Sequence, residues 1–372
     1  MKVLVTGADG FIGKNLFFRL KELSLLSPLT FTRNDSINDL NELIDQSDVI
    51  VHLAGENRPK NVSEYESVNV GLTKILCDII CKTQKKIPII FASSSQYKLD
   101  NPYGKSKRDA ELLLKKLAFD NGNSVYIYRL PGVFGKWCKP NYNSVVATFC
   151  HNIIHDIPIK INNKYSKLSL VYIDDVISDF IQNIQKQKQK QKQNYNFVSV
   201  KPEYKTTLGE IASQINAFKK SRSSLIIENV GSGFTRALYS TFISYLTPAN
   251  FAYKIPIYRD NRGDFIEILK TKNNGQFSFF TAHPGVTRGE HYHHTKTEKF
   301  LVVDGTASFK FRNISTDESY EIIINSQEYT IVDSTPGWAH NITNVGEKNL
   351  LVILWANEIL NKDSPDTFST KL

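Results

Sequence analysis

A glycine-rich turn within the first 13 residues limits the fold of the N-terminal half. A short apolar run, Lys2–Thr6, leads into Gly-Ala-Asp-Gly-Phe-Ile-Gly, and helical periodicity follows over Gly10–Leu23. In this strand–turn–helix context the first glycine permits a tight turn, the second lets the backbone approach a pyrophosphate, and the third allows close helix–strand packing. The start of such a helix also binds phosphates. The sequence therefore predicts a dinucleotide site that includes Gly7, Asp9, Gly10, Phe11, Ile12 and Gly13.

The first half of the chain alternates short apolar runs with longer amphipathic stretches. The runs expected as strands are Lys2–Thr6, Pro28–Thr32, Val49–Leu53, Ile87–Ser93 and Ser124–Leu130, and helical periodicity recurs at Val68–Lys82 and Lys105–Asn121. Such alternation is typical of a doubly wound parallel sheet with helices on both faces. We therefore predict a Rossmann-like α/β domain over residues 1–247.

From about Tyr253 the pattern changes to short apolar runs separated by Gly, Asp and Asn. These runs are Phe265–Leu269, Phe277–Ala282, Phe300–Val303, Ala307–Phe311, Tyr320–Ile324, Glu328–Val332 and Leu350–Trp355. Their close spacing is typical of an antiparallel sandwich or barrel. We therefore predict an all-β domain over residues 248–372, with the boundary near Pro248.

The net charge of +9 does not by itself indicate a nucleic-acid-binding protein. Four of the positive charges lie in an alternating Gln-Lys tract, residues 185–193, which we interpret as a solvated helix end or a mobile loop. The remaining excess suits anionic ligands such as dinucleotides and nucleotide sugars. No run reaches the ~20 apolar residues of a bilayer span, so we expect no membrane contact. The four cysteines form no CxxC pair and are typical of reduced thiols in a cytoplasmic protein.

Arg33, just after the second expected strand, bears on the choice of cofactor. An NAD site usually has an acidic residue there that binds the ribose hydroxyls. The Arg33 cation can instead pair with a 2′-phosphate, which favours NADPH. The alternative is a solvated surface arginine.

Several further motifs resemble the extended short-chain dehydrogenase/reductase family over about the first 245 residues. They are the glycine turn, the serines Ser93-Ser94-Ser95 at a strand end, and the Tyr103-x-x-x-Lys107 pair. The resemblance implies that Ser94, Tyr103 and Lys107 are catalytic, with Ser95 as the second choice for the serine. Tyr and Lys four residues apart share one helix face. The cation and a nicotinamide ribose can then lower the pKa of the phenol, which lets Tyr103 exchange a proton with a carbonyl oxygen.

The same resemblance adds contacts around the cofactor. His52-Leu53-Ala54-Gly55 is similar to the family's cofactor-flanking turn, and Asn69 lies in a stretch similar to its structural asparagine helix. The segment beginning at Arg129 resembles the one that lines the nicotinamide side. The resemblance therefore implies that Leu53, Ala54, Gly55, Asn69, Tyr103 and Lys107 contact the cofactor and that Arg129 contacts the substrate.

The C-terminal half carries two motifs that resemble those of cupins. Gly285, His291-x-His293, Glu298 and Gly305 have the spacing of the first motif, and Pro336-Gly337-x-x-His340-x-x-x-Asn344 resembles the second except that proline directly precedes the glycine. Alternation along a strand places His291 and His293 on one face. With Glu298 and His340 they would form a three-histidine, one-carboxylate site for Zn, Fe or Mn, with zinc as the first choice. His294 is interpreted as peripheral.

A metal-free interpretation stays open. Arg288-Gly289-x-His291-Tyr292 also resembles a segment of metal-free sugar 3,5-epimerases, in which the histidine is a base rather than a ligand. The segment from Asp260 to Phe265 resembles their substrate-contacting arginine loop, although it would also fit a simple turn before a strand. These similarities make Arg262 and Arg288 candidate substrate contacts.

The order of domains, with the segments 137–144 and 291–296, resembles the bifunctional CapF/WbjC-type enzymes of capsule and O-antigen synthesis. The resemblance implies that the cupin epimerises C3 of UDP-2-acetamido-2,6-dideoxy-4-hexulose. The reductase would then reduce the C4 ketone with NADPH to UDP-2-acetamido-2,6-dideoxy-L-talose, on the route to UDP-N-acetyl-L-fucosamine. It also implies a homodimer and substrate contacts at Arg129, Asn141, Asn143, Arg262, Arg288 and Lys296. The alternatives are a ketoreductase with a regulatory cupin, and a sensor without turnover, against which the intact Ser-Tyr-Lys set argues.

Overall fold

The computed structural model describes residues 1–186, 195–363 and 365–372. They form two compact units, the first built from Met1–Ile215 and Ala237–Tyr245, the second from Asn216–Arg236 and Leu246–Leu372. The last passage between the units, after Tyr245, lies beside the boundary expected at residues 247 and 248. Residues 216–236, which come before that passage in the sequence, also belong to the second unit. The division expected from the sequence did not predict this. Most of the Gln-Lys tract lies outside the described residues, so its interpretation stays a prediction.

The first unit contains a six-stranded parallel sheet and a smaller mixed sheet. Its strands are β1 (Lys2–Thr6), β2 (Ser27–Phe31), β3 (Val49–His52), β4 (Ile89–Ser94), β5 (Val125–Leu130), β6 (Gly132–Phe134), β7 (Lys167–Tyr172), β8 (Tyr195–Val198) and β9 (Tyr204–Thr207). The parallel sheet has the order β2-β1-β3-β4-β5-β8, and β6-β7-β9 form the mixed sheet. The predicted Rossmann-like parallel architecture is confirmed.

Helices cover both faces of the parallel sheet. Those packed against it are α1 (Phe11–Lys21), α2 (Ile37–Gln46), α3 (Leu72–Thr83), α4 (Pro102–Asn121) and α6 (Ile173–Lys186), and a π-helical turn, Tyr65–Gly71, precedes α3. The chain also contains α5 (Val145–Ile154), α7 (Leu208–Ser224) and α8 (Gly233–Ile243), and the last two each contain residues of both units. Alternation along β1 explains the two layers. Val3 and Val5 pack with α1 and α6, whereas Leu4 packs with α2, α3 and α4. Within the described ranges, no helix combines the length and the apolar character needed to cross a membrane.

The second unit is built almost entirely of antiparallel strands. They are β10 (Ile226–Ile227), β11 (Tyr258–Asp260), β12 (Gly263–Thr271), β13 (Gly275–Ala282), β14 (Thr287–Tyr292), β15 (Glu298–Asp304), β16 (Thr306–Asn313), β17 (Ser319–Asn325), β18 (Ile331–Ser334), β19 (Trp338–Asn344), β20 (Leu350–Ala356) and β21 (Phe368–Ser369). One sheet has the order β10-β12-β13-β20-β15-β18, with β11 also paired to β12, and the other is β17-β16-β19-β14-β21. Side chains of both sheets, such as Phe280 and Phe309, form one core. The predicted all-β architecture is confirmed.

Candidate functional site

The glycine-rich turn joins the carboxyl end of β1 to the start of α1. Gly7 has a φ of +69° and donates its N–H to the Phe31 carbonyl at 2.8 Å. A Cβ added at Gly13 would lie 2.2 Å from the Gly7 carbonyl oxygen, so α1 can approach the turn this closely only with glycine there. Among the described residues no side chain caps α1 at Gly10, which leaves N–H groups at the helix start available to an anion. The turn therefore has the conformation that pyrophosphate binding needs.

Three side chains with the predicted catalytic identities converge where β4 meets α4. Ser94 ends β4, and its side chain lies near enough to Tyr103 to affect the pKa of the phenol. The Lys107 Nζ lies 6.0 Å from the centre of the Tyr103 ring and donates to the Ala92 carbonyl at 3.0 Å. Ser94 is buried whereas Ser95 is exposed. Of the two candidate serines, the structure places Ser94 beside the tyrosine.

Burial shifts the pKa values of Tyr103 and Lys107. It lowers the pKa of Lys107 to about 8, although the Glu111 carboxylate acts in the opposite direction. Burial also raises the pKa of Tyr103, partly opposed by the polar side chain of Ser94. At neutral pH the phenol therefore keeps its proton and Lys107 keeps its charge. This is the state in which Tyr103 can donate a proton to a substrate oxygen.

The turn after β3 faces Lys107. A Cβ at Gly55 would lie 3.0 Å from Asn69 Oδ1 and 3.3 Å from Lys107 Nζ. The Asn69 side chain accepts from the Glu56 N–H at 2.7 Å and donates to the Glu56 carbonyl at 3.0 Å and to the Ser106 hydroxyl at 2.9 Å. Asn69 thereby fixes the turn next to Lys107, and its contact with the cofactor stays a prediction.

Thr6 ties the same turn to β1. Its hydroxyl accepts from the N–H groups of Leu53 and Ala54, each at 3.2 Å, and contacts His52 Nδ1 at 2.7 Å. The other ring nitrogen of His52 contacts the Thr73 hydroxyl at 2.9 Å. Burial and then the Lys107 charge lower the pKa of His52 to about 3. His52 is therefore a neutral imidazole that supports the turn.

Arg33 is neither free nor simply solvated, because it pairs with Glu56. The Arg33 side chain is 83% exposed, whereas that of Glu56 is 9% exposed. Tyr142 donates its hydroxyl to the same Glu56 carboxylate at 2.8 Å. Asn141 and Asn143, the neighbours of Tyr142, are exposed. Sequence reasoning missed Glu56, and the available signal was its place directly after Gly55.

Arg129 is held inside the first unit by Glu111. Its Nη2 and Nε lie 2.7 and 3.1 Å from the two carboxylate oxygens. The guanidinium lies between the rings of Tyr97 and Phe197, 3.5 and 3.9 Å from their centres. Ser93 donates to the same carboxylate at 2.6 Å. These contacts give Arg129 a role in the fold, and its contact with a substrate stays a prediction.

The four predicted metal ligands meet in the second unit. The candidate ligand atoms of His291, His293, Glu298 and His340 all lie within 4.8 Å of one another. Three of these side chains are buried, and His291 is partly buried. His291 belongs to β14, and His293 is the first residue beyond the end of that strand. The cluster draws on β14, β15 and β19, as the two motifs predicted.

The charges in the cluster favour a carboxylate beside neutral imidazole. Burial alone would raise the pKa of Glu298, but His293, His340 and the Lys296 ammonium hold it well below its usual range. The Lys296 Nζ lies 2.7 Å from Glu298 Oε1. Burial and then His340 lower the pKa of His291 to about 4. Deprotonated ligands of this kind are what metal binding requires.

Hydrogen bonding around His293 fits a divalent metal ion. Its Nδ1 lies 2.5 Å from the Asp366 carbonyl, which can only accept, so Nδ1 carries the proton. In a neutral ring the Nε2 lone pair then points at Glu298 Oε2, 3.3 Å away. Two acceptors at this distance need an extra proton or a cation between them. The Nε2 of His291 is also buried without a hydrogen-bond partner in the described part of the chain. The donor set and these unsatisfied atoms fit a metal.

A bulge in β14 brings Arg288 to the face that carries the cluster. Gly289 and Glu290 have φ values of +101° and +61°, and the pairing with β19 shifts between Gly289 and His291. In a regular strand, residues three apart point to opposite faces. Here Arg288 and His291 instead lie opposite two residues of β19 that share a face, Ile342 and His340. The bulge therefore adds a guanidinium to the same side as the histidines.

Two of the predicted substrate arginines are linked through Asp260. Arg262 donates to the Asp260 carboxylate at 2.6 and 3.1 Å, and Arg288 Nη2 lies 3.8 Å from it. The hydrogen bonds from Arg262 lower the pKa of Asp260 to about 2. Arg288 also donates to the Thr281 carbonyl at 3.0 Å. Arg262 and Arg288 thus share one carboxylate at the start of β12, and their contact with a substrate stays a prediction.

Models of two protein families match the chain. The NAD dependent epimerase/dehydratase family matches residues 3–197, and the polysaccharide biosynthesis C-terminal domain matches residues 258–368.

Known proteins are similar to all or part of this chain. The UDP-2-acetamido-2,6-beta-L-arabino-hexul-4-ose reductase of Pseudomonas aeruginosa is 52% identical over 369 residues, which are 99% of this chain and 98% of that protein. The dTDP-4-dehydro-6-deoxyglucose reductase of Escherichia coli is 27% identical over 49% of this chain and 72% of that protein. The crystal structure of the capsular polysaccharide assembling protein CapF from Staphylococcus aureus superposes with a TM-score of 0.91 at 39% identity and covers both chains fully.

Proposed function

The chain belongs to the CapF-like UDP-sugar reductase family, and from this membership we propose that it carries out two successive steps on one nucleotide sugar. The second unit, as a cupin with bound zinc, epimerises C3 of UDP-2-acetamido-2,6-dideoxy-4-hexulose. The first unit reduces the C4 ketone with NADPH to UDP-2-acetamido-2,6-dideoxy-L-talose. The observation that carries this proposal is the presence of two separate constellations, Ser94–Tyr103–Lys107 and the histidine cluster, each within its own unit.

The reduction uses groups whose protonation the structure explains. Tyr103 gives its proton to the C4 oxygen of the sugar, and Ser94 orients that oxygen through a hydrogen bond. Lys107 stabilises the phenolate that remains. NADPH, when bound across the glycine turn, supplies the hydride. Arg33 leaves Glu56 to pair with the 2′-phosphate, which gives the preference for NADPH over NADH.

The epimerisation exchanges one proton. The hydrogen on C3 is adjacent to the C4 ketone, so a base can remove it as a proton if positive charge stabilises the enolate oxygen. Delivery of a proton to the opposite face by an acid then restores the ketone and inverts C3. A divalent metal held by His291, His293, Glu298 and His340 supplies that charge when bound. Arg262 and Arg288 bind the anionic part of the substrate.

Two variants should separate the steps. His293→Ala should stop exchange of the C3 proton with deuterated solvent, while reduction of a pre-epimerised ketosugar continues. Tyr103→Phe should slow NADPH oxidation by 10²–10⁴-fold, as is typical for loss of a general acid, and leave deuterium exchange intact. Mass spectrometry follows the exchange, and absorbance follows NADPH.

His294→Ala is the matched control, because this exposed histidine lies next to the cluster and outside it. Circular dichroism establishes that each variant is folded. Deuterium exchange at the wild-type rate in folded His293→Ala would place the epimerase chemistry elsewhere. Normal turnover by Tyr103→Phe would show that another acid serves the reduction.

A further inference from the structure

The C-terminal segment of the second unit, residues 365–372, lies along β14, the strand that carries His291. β21 pairs antiparallel with His291 and Tyr292, and the Thr370 N–H donates to the Glu290 carbonyl at 2.9 Å. The Phe368 ring stacks on that of Tyr292 with 5.3 Å between centres. The segment is thus docked on the outer edge of the sheet beside the cluster.

Asp366, just before β21, binds the turn that separates two members of the cluster. Its carboxylate accepts from the backbone N–H groups of His294, Thr295 and Lys296 at 2.9, 2.7 and 2.8 Å. It also accepts from the Thr295 hydroxyl at 2.9 Å. These hydrogen bonds to an ionised acceptor are stronger than neutral ones. They fix the backbone between His293 and Glu298.

The main chain of the same residue contacts His293 directly. The Asp366 carbonyl oxygen accepts the Nδ1–H of His293 at 2.5 Å. A histidine whose second nitrogen is bound in this way has a fixed tautomer and ring orientation, which supports metal ligation by the other nitrogen. The carboxylate anchors Asp366, and the anchored carbonyl then orients the ring.

We propose that Asp366 is a positioning residue for the cluster, and that docking of the C-terminal segment and binding of a divalent metal stabilise each other. The second part rests on the proposed function. Because such coupling is reciprocal, a change that releases the segment weakens metal binding, and metal binding protects the segment from exchange. Asp366 supplies no metal ligand itself and acts through His293, which its carbonyl contacts, and through the turn.

Zinc affinity tests the coupling. Asp366→Ala removes all four side-chain hydrogen bonds, and Asp366→Asn keeps the size but places an amide NH₂ among N–H donors. We expect both to bind Zn²⁺ 10–100-fold more weakly than wild type in competition with a chelator, which is the usual effect of losing such support. Asp363→Asn is the matched control, since this exposed carboxylate lies three residues before Asp366 in the sequence, and it should change affinity less than twofold.

The spectrum of the Co²⁺-substituted protein gives a second reading. We expect a change in its visible bands in both Asp366 variants and none in Asp363→Asn, because the ligand geometry changes only when His293 turns. A zinc affinity and a Co²⁺ spectrum that match wild type in folded Asp366→Ala would overturn the coupling.

The metal-free protein tests the positioning alone. Nitrogen-15 NMR of labelled histidines should show His293 with its proton on Nδ1 in the wild type and a mixture of tautomers in Asp366→Ala. Assignment uses the signal missing from His293→Ala. An unchanged tautomer in the variant would refute the positioning role.

The two proposals fail separately. Wild-type protein that binds no Zn²⁺ would overturn the proposed metal site, and the NMR comparison would still decide whether Asp366 orients His293. If Asp366→Ala does not fold, Asp366→Asn and the longer Asp366→Glu replace it. If Asp366→Glu keeps the Nδ1–H tautomer of His293 and Asp366→Asn does not, the result supports the carboxylate as the anchor. If Asp366→Asn also keeps this tautomer, the role of the carboxylate is refuted.

Discussion

A methyl group added at Gly13 would collide with the backbone of the glycine-rich turn. The nearest atoms are the Gly7 carbonyl oxygen at 2.2 Å and the Ala8 Cα at 2.8 Å, and neither can rotate away. An ordinary contact begins near 3.4 Å, so α1 or the turn must move by about 1.2 Å. Such overpacking costs up to ~3 kcal/mol, and the better helix propensity of alanine returns ~1 kcal/mol. We therefore expect Gly13→Ala to destabilise the first unit by about 2 kcal/mol.

Hydrogen exchange at increasing urea concentration, followed by mass spectrometry, measures this loss because it separates peptides of the two units. With a typical urea dependence of ~2 kcal/mol per molar, protection of β1 and α1 should be lost at about 1 M less urea. Peptides of β13 and β20 should be unaffected.

Gly10→Ala is the matched control. Among the described residues its Cβ would meet the Gly7 carbonyl oxygen alone, at 3.1 Å, and alanine is less favourable than glycine at the N-cap of α1, so we expect a loss of ~1 kcal/mol or less, smaller than that of Gly13→Ala. The methyl group would instead occupy the approach of a pyrophosphate, and NADPH affinity measured by calorimetry should fall at least ~10-fold. The reasoning fails if Gly13→Ala keeps wild-type protection in urea, or if Gly10→Ala binds NADPH as tightly as wild type.

Two further predictions concern the cofactor and the pH dependence. Arg33→Ala should weaken NADPH binding by ~10-fold or more while leaving NADH binding nearly unchanged. Glu56→Gln, which releases Arg33, should not weaken NADPH binding. Equal affinities of the wild type for the two cofactors, measured by calorimetry, would remove the role given to Arg33. Because the pKa of Lys107 is about 8, the lysine loses its charge as pH rises through that value, so kcat/KM for ketone reduction should fall on the alkaline side. In Lys107→Arg, whose guanidinium stays charged, any remaining activity should not decline between pH 7 and 9.5, and a wild-type profile that is flat over this range would contradict the assignment.

Most of the correct predictions came from residues that are close together in the sequence. The glycine turn, the Tyr103–Lys107 pair and the His291-x-His293 motif each lie within a few residues on one element or turn. The periodicity of that element therefore fixes which side chains come together. The positions of strand ends predicted which motifs of the first unit lie together, since the carboxyl ends of β1, β3 and β4 meet at one edge of a parallel sheet. The Rossmann-like fold and the candidate site followed from these patterns.

The contacts that sequence reasoning missed join distant segments. Asp366 lies 72 residues from His294, and Glu56 lies 86 residues from Tyr142. No periodicity links such pairs, because the distance between them depends on how whole sheets and loops pack. The assignment of residues 216–236 to the second unit has a similar origin, since these residues contact distant parts of the chain, as the two-residue strand β10 does when it pairs with β12.

Because of the bulge in β14, substitution of Gly289 should disturb the side-chain arrangement of this strand more than deletion of Glu290 does. Loss of Glu290 would give a regular strand in which Arg288 and His291, then two apart, still point to one side. Valine at Gly289 would keep the length but disfavour the left-handed backbone, and its Cβ would meet the His340 carbonyl at 2.9 Å. A strand straightened in this way would carry Arg288 and His291 on opposite sides. Related sequences can therefore be one residue shorter here and keep Arg288 on the side of the histidine cluster, whereas β-branched residues at Gly289 should be rare among them.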